Sequence, residues 1–371
     1  MCNDAIRIGL AAGVSSLKAL SKLAYGELKK YDDVPSYYRL CAISKAAGIL
    51  AARKKSIRRG FPTKRPYLSK PLLVSCYGFK IRNSSLLVPL GHGCFEPIPL
   101  NLHTLKVLSR ESVKVRSFTL TERLLSLCVL KEVEQIAVGG LVGVDRNLRN
   151  ITAGNVERVV CYDVSKIAEI GKNTRCVISS FRRNDVKIRK KLAVKYGRRQ
   201  NERVKQILNF VSKQIVTEAI SNRHAIAFED IRGIRKLYRK GNGQGRSFRG
   251  RMNSWPFAEL KRQVEYKATW EGVPVITLSV TETRGTTMDC PRCGERLQVA
   301  ARRNVEHVRQ LWCWKCKRWE DRDIVAVMNI SRRGWVRFAQ SIQGEAIEAV
   351  KGNRMETVIL RVDASKPSQK G

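Results

Sequence analysis

Acidic residues are scarce in this chain of 371 residues: 32 Asp and Glu stand against 71 Lys and Arg, for a formal net charge of +39. So few acids cannot neutralise the chain internally, and self-repulsion opposes compaction unless a polyanion supplies the missing charge. Nucleic acid is the polyanion such a composition favours, with an anionic membrane surface as the weaker alternative. Long apolar runs are missing as well. No stretch reaches the roughly 18 apolar residues that a bilayer span requires, and the N-terminus lacks the charged, apolar, small-residue order of a secretion signal. Neither a membrane span nor export is supported, and the chain reads as cytoplasmic and nucleoid-associated. No internal repeat is evident. Apolar residues are not lacking: at 43% hydrophobic, the chain can build cores for two or three domains of ordinary size.

Disulfide-type cysteine spacing is also absent. Cys2, Cys41, Cys76, Cys94, Cys128, Cys161 and Cys176 are scattered, several among apolar neighbours, and read as buried free thiols. The other four form two C-x-x-C pairs, Cys290-Pro-Arg-Cys293 and Cys313-Trp-Lys-Cys316. One such pair alone reads as redox-active. Two in close succession suit a tetrahedral, structural zinc site, closed by four thiolates and therefore not catalytic.

Along the chain, residues 1–60 carry Leu17, Leu20, Leu23, Ala46, Ile49 and Leu50 at helical spacing and end in the basic run "RKKSIRRG". Residues 61–135 are punctuated by Pro and Gly between short apolar stretches and read as a β-rich unit. From 136 to 288 the pattern predicts three short strands ("GGLVGVD", "NITAGN", "RVVCYDV"), a long basic helical region and a strand ("HAIAFED"). A Gly- and Arg-rich mobile loop follows, then a helix over 254–272 capped by Ser254, and a strand ("VPVITLSV"). The zinc knuckle spans 289–316, a last helix 317–340, and a mobile tail 341–371. The order β-β-β-α-β-α-β-knuckle-α is that of an α/β, RNase H-like domain.

In such a sheet the first and fourth strands are neighbours. Asp145 ends the first, Glu229 and Asp230 end the fourth, and the last helix begins in the acid-rich "KCKRWEDRD". Three carboxylates from distant segments then meet, which costs repulsion unless a hard divalent cation is held among them. Around that acidic island lie basic stripes. Lys187, Arg189, Lys190, Lys191, Lys195, Arg198 and Arg199 form one, and Arg235, Lys236, Arg239, Lys240, Arg246, Arg249 and Arg251 another. Both suit phosphate backbones.

Through "GVDRNLRN", "AIAFEDIRGIR", "NSWPFAELKRQVEYKA", "GVPVI", "CPRCG", "CWKC" and "DRDIVAVMNI", the chain resembles TnpB, the OrfB-type transposase family of small insertion sequences. That family is similar to the RuvC-nuclease half of type V CRISPR effectors. The resemblance is strong from about residue 138 to 335. It implies an RNA-guided endonuclease that cuts both strands of target double-stranded DNA in one RuvC-like site. Asp145, Glu229 and Asp323 would be the catalytic acids holding Mg²⁺ or Mn²⁺, and Cys290, Cys293, Cys313 and Cys316 the zinc ligands. The guide RNA would derive from the transposon end, with one or two chains per RNA, and residues 1–60 and 61–135 would be recognition and wedge parts. The family's motif selects Asp323 over Asp321, leaving Asp321 as a helix cap. The family's Asp-x-Asn-Ala has Val325 in place of Asn. A nuclease-inactive RNA-guided repressor and a CRISPR-associated type V effector are the alternative readings.

Overall fold

The computed structural model describes residues 1–181, 186–299, 309–346 and 356–365. It divides into two compact units, residues 1–132 with 357–371, and 133–356. Among the described residues no helix is long and apolar enough to cross a membrane.

In the first unit, α1 (Cys2–Ala11), α2 (Leu17–Glu27) and α3 (Ser36–Arg58) bury Ile6, Leu20, Leu28, Ile43 and Leu50 in one cluster. The Ser16 hydroxyl accepts the Ala19 N–H and caps α2. Next come β1 (Leu72–Ser75), β2 (Lys80–Arg82), β3 (Ser85–Gly91), β4 (Cys94–Pro99), α4 (Leu102–Leu108), β5 (Val113–Thr121) and β6 (Leu125–Val133). The strands β2-β3-β4 form one small sheet, while β1, β5 and β6 form another with the C-terminal strand Glu356–Ser365. The mobile tail expected over 341–371 is thus built in part. Val358, Leu360, Val362 and Ala364 recur with period two, the pattern of a strand.

The second unit carries β7 (Gly140–Arg146), β8 (Asn150–Gly154), β9 (Val159–Asp163), α5 (Ser165–Ser180), α6 (Val186–Ser221) and β10 (His224–Glu229). It continues with α7 (Arg246–Ser254), α8 (Phe257–Trp270), β11 (Val275–Leu278), β12 (Gln298–Val299), β13 (Gln310–Cys313), β14 (Arg318–Asp321) and α9 (Arg322–Ala346). The fold is mixed α/β. Its main sheet has the order β11-β10-β7-β8-β9, antiparallel across β7-β8-β9 and parallel across β7, β10 and β11.

Alternation along β7 and β10 gives the sheet two apolar faces. Val142, Val144, Ile226 and Phe228 pack on Leu208, Val211 and Ile215 of α6 and on Leu260 and Val264 of α8. Leu141, Ala225 and Ala227 pack with Ile330 of α9 on the other side. On that side Gly143 has no side chain to hold α9 away: a Cβ there would collide with the Val327 carbonyl and lie 2.8 Å from the Ser331 nitrogen. Farther along, the Ser331 hydroxyl donates to the Leu141 carbonyl at 2.6 Å. Thus α9 runs antiparallel to β7. Two strand residues and one helical turn advance by similar lengths, roughly 6 to 7 Å. One turn before Val327 stands Asp323; two residues after Gly143 stands Asp145.

Several local expectations are corrected. Ser254 does not cap the helix before β11; it ends α7, and its hydroxyl donates to the Arg251 carbonyl at 2.9 Å. Pro256 forces Trp255 out of helical geometry, so α8 starts only at Phe257. The Gly- and Arg-rich stretch is not all loop, because a short 3₁₀ turn (Ile234–Tyr238) and α7 occupy much of it. The knuckle hairpin extends to Asp321 and the last helix begins at Arg322. The scattered cysteines are not buried: Cys76, Cys94, Cys161 and Cys176 are exposed, and Cys2, Cys41 and Cys128 half-buried. Cys161 shows the reason, sitting on the outward alternate of edge strand β9 despite apolar neighbours in sequence.

Candidate functional site

A cysteine cluster that could hold a metal ion lies on one side of the first turn of α9, and a group of acids on the other; among the described residues only the cysteines bring all their ligand atoms within 4.8 Å of one another. The first is made of sulfur. The Sγ atoms of Cys290, Cys293, Cys313 and Cys316 all lie within 4.8 Å of one another, with Cys290–Cys316 at 3.8 Å and Cys293–Cys313 at 3.5 Å. Thiolates on a tetrahedral zinc at about 2.3 Å would stand about 3.8 Å apart. The sulfurs therefore fit zinc. In the second C-x-x-C turn the Cys316 N–H donates to the Cys313 sulfur at 3.4 Å. A backbone donor from Glu295 holds the Cys293 thiol below its ordinary value, favouring the thiolate. Cys290 and Cys313 are buried with Leu297, Leu311 and Val325. Val325 is thus part of the knuckle's core and faces away from the acids, which explains the apolar residue at that position.

The second cluster is made of oxygen. Val144 and Phe228 are register partners in the parallel pair β7–β10, so the next residues, Asp145 and Glu229, stand side by side at the strand ends. Both acids face the α9 side, because their preceding neighbours face the α6 side. Asp323 reaches the same place from the first turn of α9 and is only 6% exposed. One side-chain nitrogen, that of Asn147, donates to Asp145 at 2.7 Å and to Asp323 at 3.0 Å, so these two carboxylates are near neighbours. Asn150 donates to the other Asp323 oxygen at 2.8 Å. Arg309, which precedes β13, pairs with Asp323 as well.

Electrostatics follow from this crowding. Burial, then the charges of Glu229 and Asp323, push the Asp145 carboxyl up to about 6. Burial also raises Glu229, against the Thr286 hydroxyl that donates to it at 3.0 Å. Asp230 behaves oppositely: Arg232 holds it down at about 2, outside the cluster. Of the acidic pair ending β10, Glu229 is the member that joins Asp145. Asp321 accepts the Asp323 N–H at 2.8 Å and caps α9. Three carboxylates brought to one place, with Asp145 raised by burial and by the charges of the other two, are by chemistry a donor set of the kind a hard divalent cation takes.

The pattern of acids missed the neutral residues around them. Asn147, Asn150 and Thr286 were not anticipated, nor was Asn329, whose buried amide ties α9 to the Thr286 and Asp289 carbonyls at 2.8 and 2.7 Å. Arg146 was missed too: it lies over the Phe228 ring, donates to the Phe257 carbonyl at 3.0 Å, and has its charge disfavoured by burial. The polar run "DRNLRN" behind a buried acid was the one visible signal. Of the basic residues, Lys190, Lys191, Lys195, Arg198 and Arg199 are exposed on α6, and Arg235, Lys236, Arg239, Lys240 and Arg246 are exposed around α7. Arg249 and Arg251 are half-buried, Arg249 donating to the Gln244 carbonyl and Arg251 lying over Phe248. Lys187 and Arg189 lie in α6, with side chains outside the described residues.

A family model described as Cas12f1-like, TNB domain matches residues 257–330. The TnpB-like protein MJ0751 of Methanocaldococcus jannaschii is 30% identical over 209 residues, covering 52% of this chain and 68% of that protein. The chain belongs to the TnpB-like family. Among solved structures, the Cas12f1–sgRNA–target DNA complex is similar in fold, with a TM-score of 0.59 at 14% identity over 89% of this chain and 79% of that one. The match over 257–330 begins at α8 and takes in the cysteine knuckle and the first turns of α9, including Asp323.

Proposed function

We infer that this TnpB-like protein is an RNA-guided DNA endonuclease of RuvC type, hydrolysing phosphodiesters at Asp145, Glu229 and Asp323 on an RNase H-like domain. The observation that carries this reading is the convergence of three acids from β7, β10 and α9 inside a chain of net charge +39. Asp145, Glu229 and Asp323 would hold Mg²⁺ or Mn²⁺, which would supply Lewis acidity for phosphodiester hydrolysis. The chain's own residues supply the rest. Asp145 and Glu229 are fixed by the register of a rigid parallel pair. Asp323 is fixed by the Asp321 cap and by the Gly143 contact. Thr286 orients Glu229 through one oxygen and leaves the other for a cation. The exposed cations of α6 suit the phosphates of a guide RNA and of its duplex with target DNA, where A-form shape rather than sequence is read. Cas12f1, similar in fold, is solved with sgRNA and target DNA, which supports these two partners. A guide derived from the transposon end fits the family.

The nuclease-inactive reading draws on Val325 standing where the family has Asn; the packing of Val325 in the knuckle core supports a structural reason for an apolar residue there. The test is cleavage of a supercoiled plasmid by protein co-expressed with its transposon-end transcript, in Mg²⁺ and in EDTA. Cleavage is expected in Mg²⁺ only, and lost in Asp145→Ala while RNA-dependent DNA binding persists. Equal cleavage by Asp145→Ala would reject the assignment.

A further inference from the structure

Asn147 occupies an unusual place. It lies in the turn between β7 and β8, where its backbone N–H donates to the Asn150 carbonyl at 3.0 Å. That bond alone would satisfy the turn. Its carboxamide does something else: a single NH₂ group serves two carboxylates, Asp145 at 2.7 Å and Asp323 at 3.0 Å. An amide nitrogen carries two hydrogens and no acceptor lone pair, so one hydrogen can go to each acid. The group thereby puts the positive end of a dipole between two carboxylates.

The surroundings separate this role from that of the other donors. Asn150 approaches Asp323 on its other oxygen, and its nitrogen also lies 3.4 Å from the Thr152 hydroxyl, so it orients that acid without touching Asp145. Arg309 pairs with Asp323 from a side chain about half exposed and does not bridge either. Among the hydrogen bonds of the described residues, Asn147 alone spans Asp145 and Asp323.

We propose that Asn147 is a positioning residue that acts as a neutral placeholder for the divalent cation, holding Asp145 and Asp323 together in the metal-free protein and withdrawing when the cation binds. This rests on the reading of these acids as cation ligands. In the metal-free state the bridge offsets carboxylate repulsion, and in the loaded state it contributes nothing. Removing it therefore weakens the metal-free protein selectively and tightens cation binding. A residue that only shaped the turn would weaken both states alike.

The experiment compares Asn147→Ala and Asn147→Asp with the parent by thermal melting, with EDTA and with saturating Mn²⁺. Mn²⁺ affinity is read in parallel by calorimetry. Asn147→Ala is expected to melt about 2–4 °C lower in EDTA, with near-recovery in Mn²⁺. Its Mn²⁺ affinity should rise roughly fivefold. Asn147→Asp, which replaces the donor by a fourth carboxylate, should exaggerate both effects. A melting loss equal in EDTA and in Mn²⁺, or Mn²⁺ binding weakened in Asn147→Ala, would overturn the placeholder. Mn²⁺ affinity unchanged in Asp323→Ala would instead show that the acids are not the ligands. That second outcome removes the underlying reading rather than this inference alone.

Discussion

The knuckle and the acid cluster flank the same helical turn, yet they solve opposite problems. Four cysteines are closed upon one another, two of them buried, at separations that one zinc ion would span. Three carboxylates meet on the other side, where burial and then the charges of Glu229 and Asp323 push Asp145 up to about 6. Zinc in the first arrangement would add folding free energy. The second, on the reading proposed above, would cost folding free energy until a cation arrived. A structural site is filled once; a reactive site must be able to exchange water and substrate.

The contrast is testable, and the largest effect is expected at the sulfurs. Cys313→Ser, or prolonged chelation, should unfold the knuckle, because structural zinc contributes on the order of 10 kcal/mol in isolated zinc modules. Melting temperature, zinc content and cleavage should fall together. At the carboxylates, stability and activity should part. Asp145→Asn is expected to abolish cleavage yet raise the melting temperature of the metal-free protein. The sign follows from linkage: the native pKa of about 6 lies above the ordinary 3.8, so the group's stability contribution is complete below the ordinary value and lost as pH rises through about 6. The gain should therefore be present at pH 8 and absent at pH 3.5. A gain that did not depend on pH would locate the cause elsewhere.

Gly143→Ala should have an intermediate effect, because it drives a methyl into the Val327 carbonyl and the Ser331 nitrogen. Overpacking of this kind costs about 1–3 kcal/mol, read by urea denaturation. Cleavage should fall beyond what the remaining folded fraction explains, since α9 carries Asp323. Asp321→Ala should have the smallest effect, losing a helix cap worth about 1 kcal/mol with measurable cleavage retained. If Asp321→Ala were the inactive variant and Asp323→Ala the active one, the assignment of cap and cluster would have to be exchanged.

How much of this could be read from sequence depends on the kind of residue. Asp145 and Glu229 are legible because each ends an apolar strand, and adjacent parallel strands put such ends together. The cysteines are legible because metal ligation imposes a spacing. Helical periodicity does not choose between Asp321 and Asp323; the family motif does, and the structure buries Asp323 while using Asp321 as the cap. Asn147, Asn150 and Thr286 left no comparable trace, since neutral polar residues in turns are common for reasons unrelated to any site. Cys161 and Cys76 misled because sequence neighbours on a strand do not share its face. Ser254 misled because a residue type that favours caps was read without the proline two positions later.

The first turn of α9 also works as a ruler. Val325 is fixed in the knuckle's interior while Val327 and Ser331 are fixed against Gly143, so the chain between Cys316 and Asp323 has its length set from both ends. One added residue in β14 would shift the chain by about 3.3 Å and turn every following strand side chain to the opposite face, displacing the start of α9 and with it Asp323. Drift in length should therefore be tolerated in the polar turns of the molecule and refused in these few residues, making their count a more durable mark of descent than their identities.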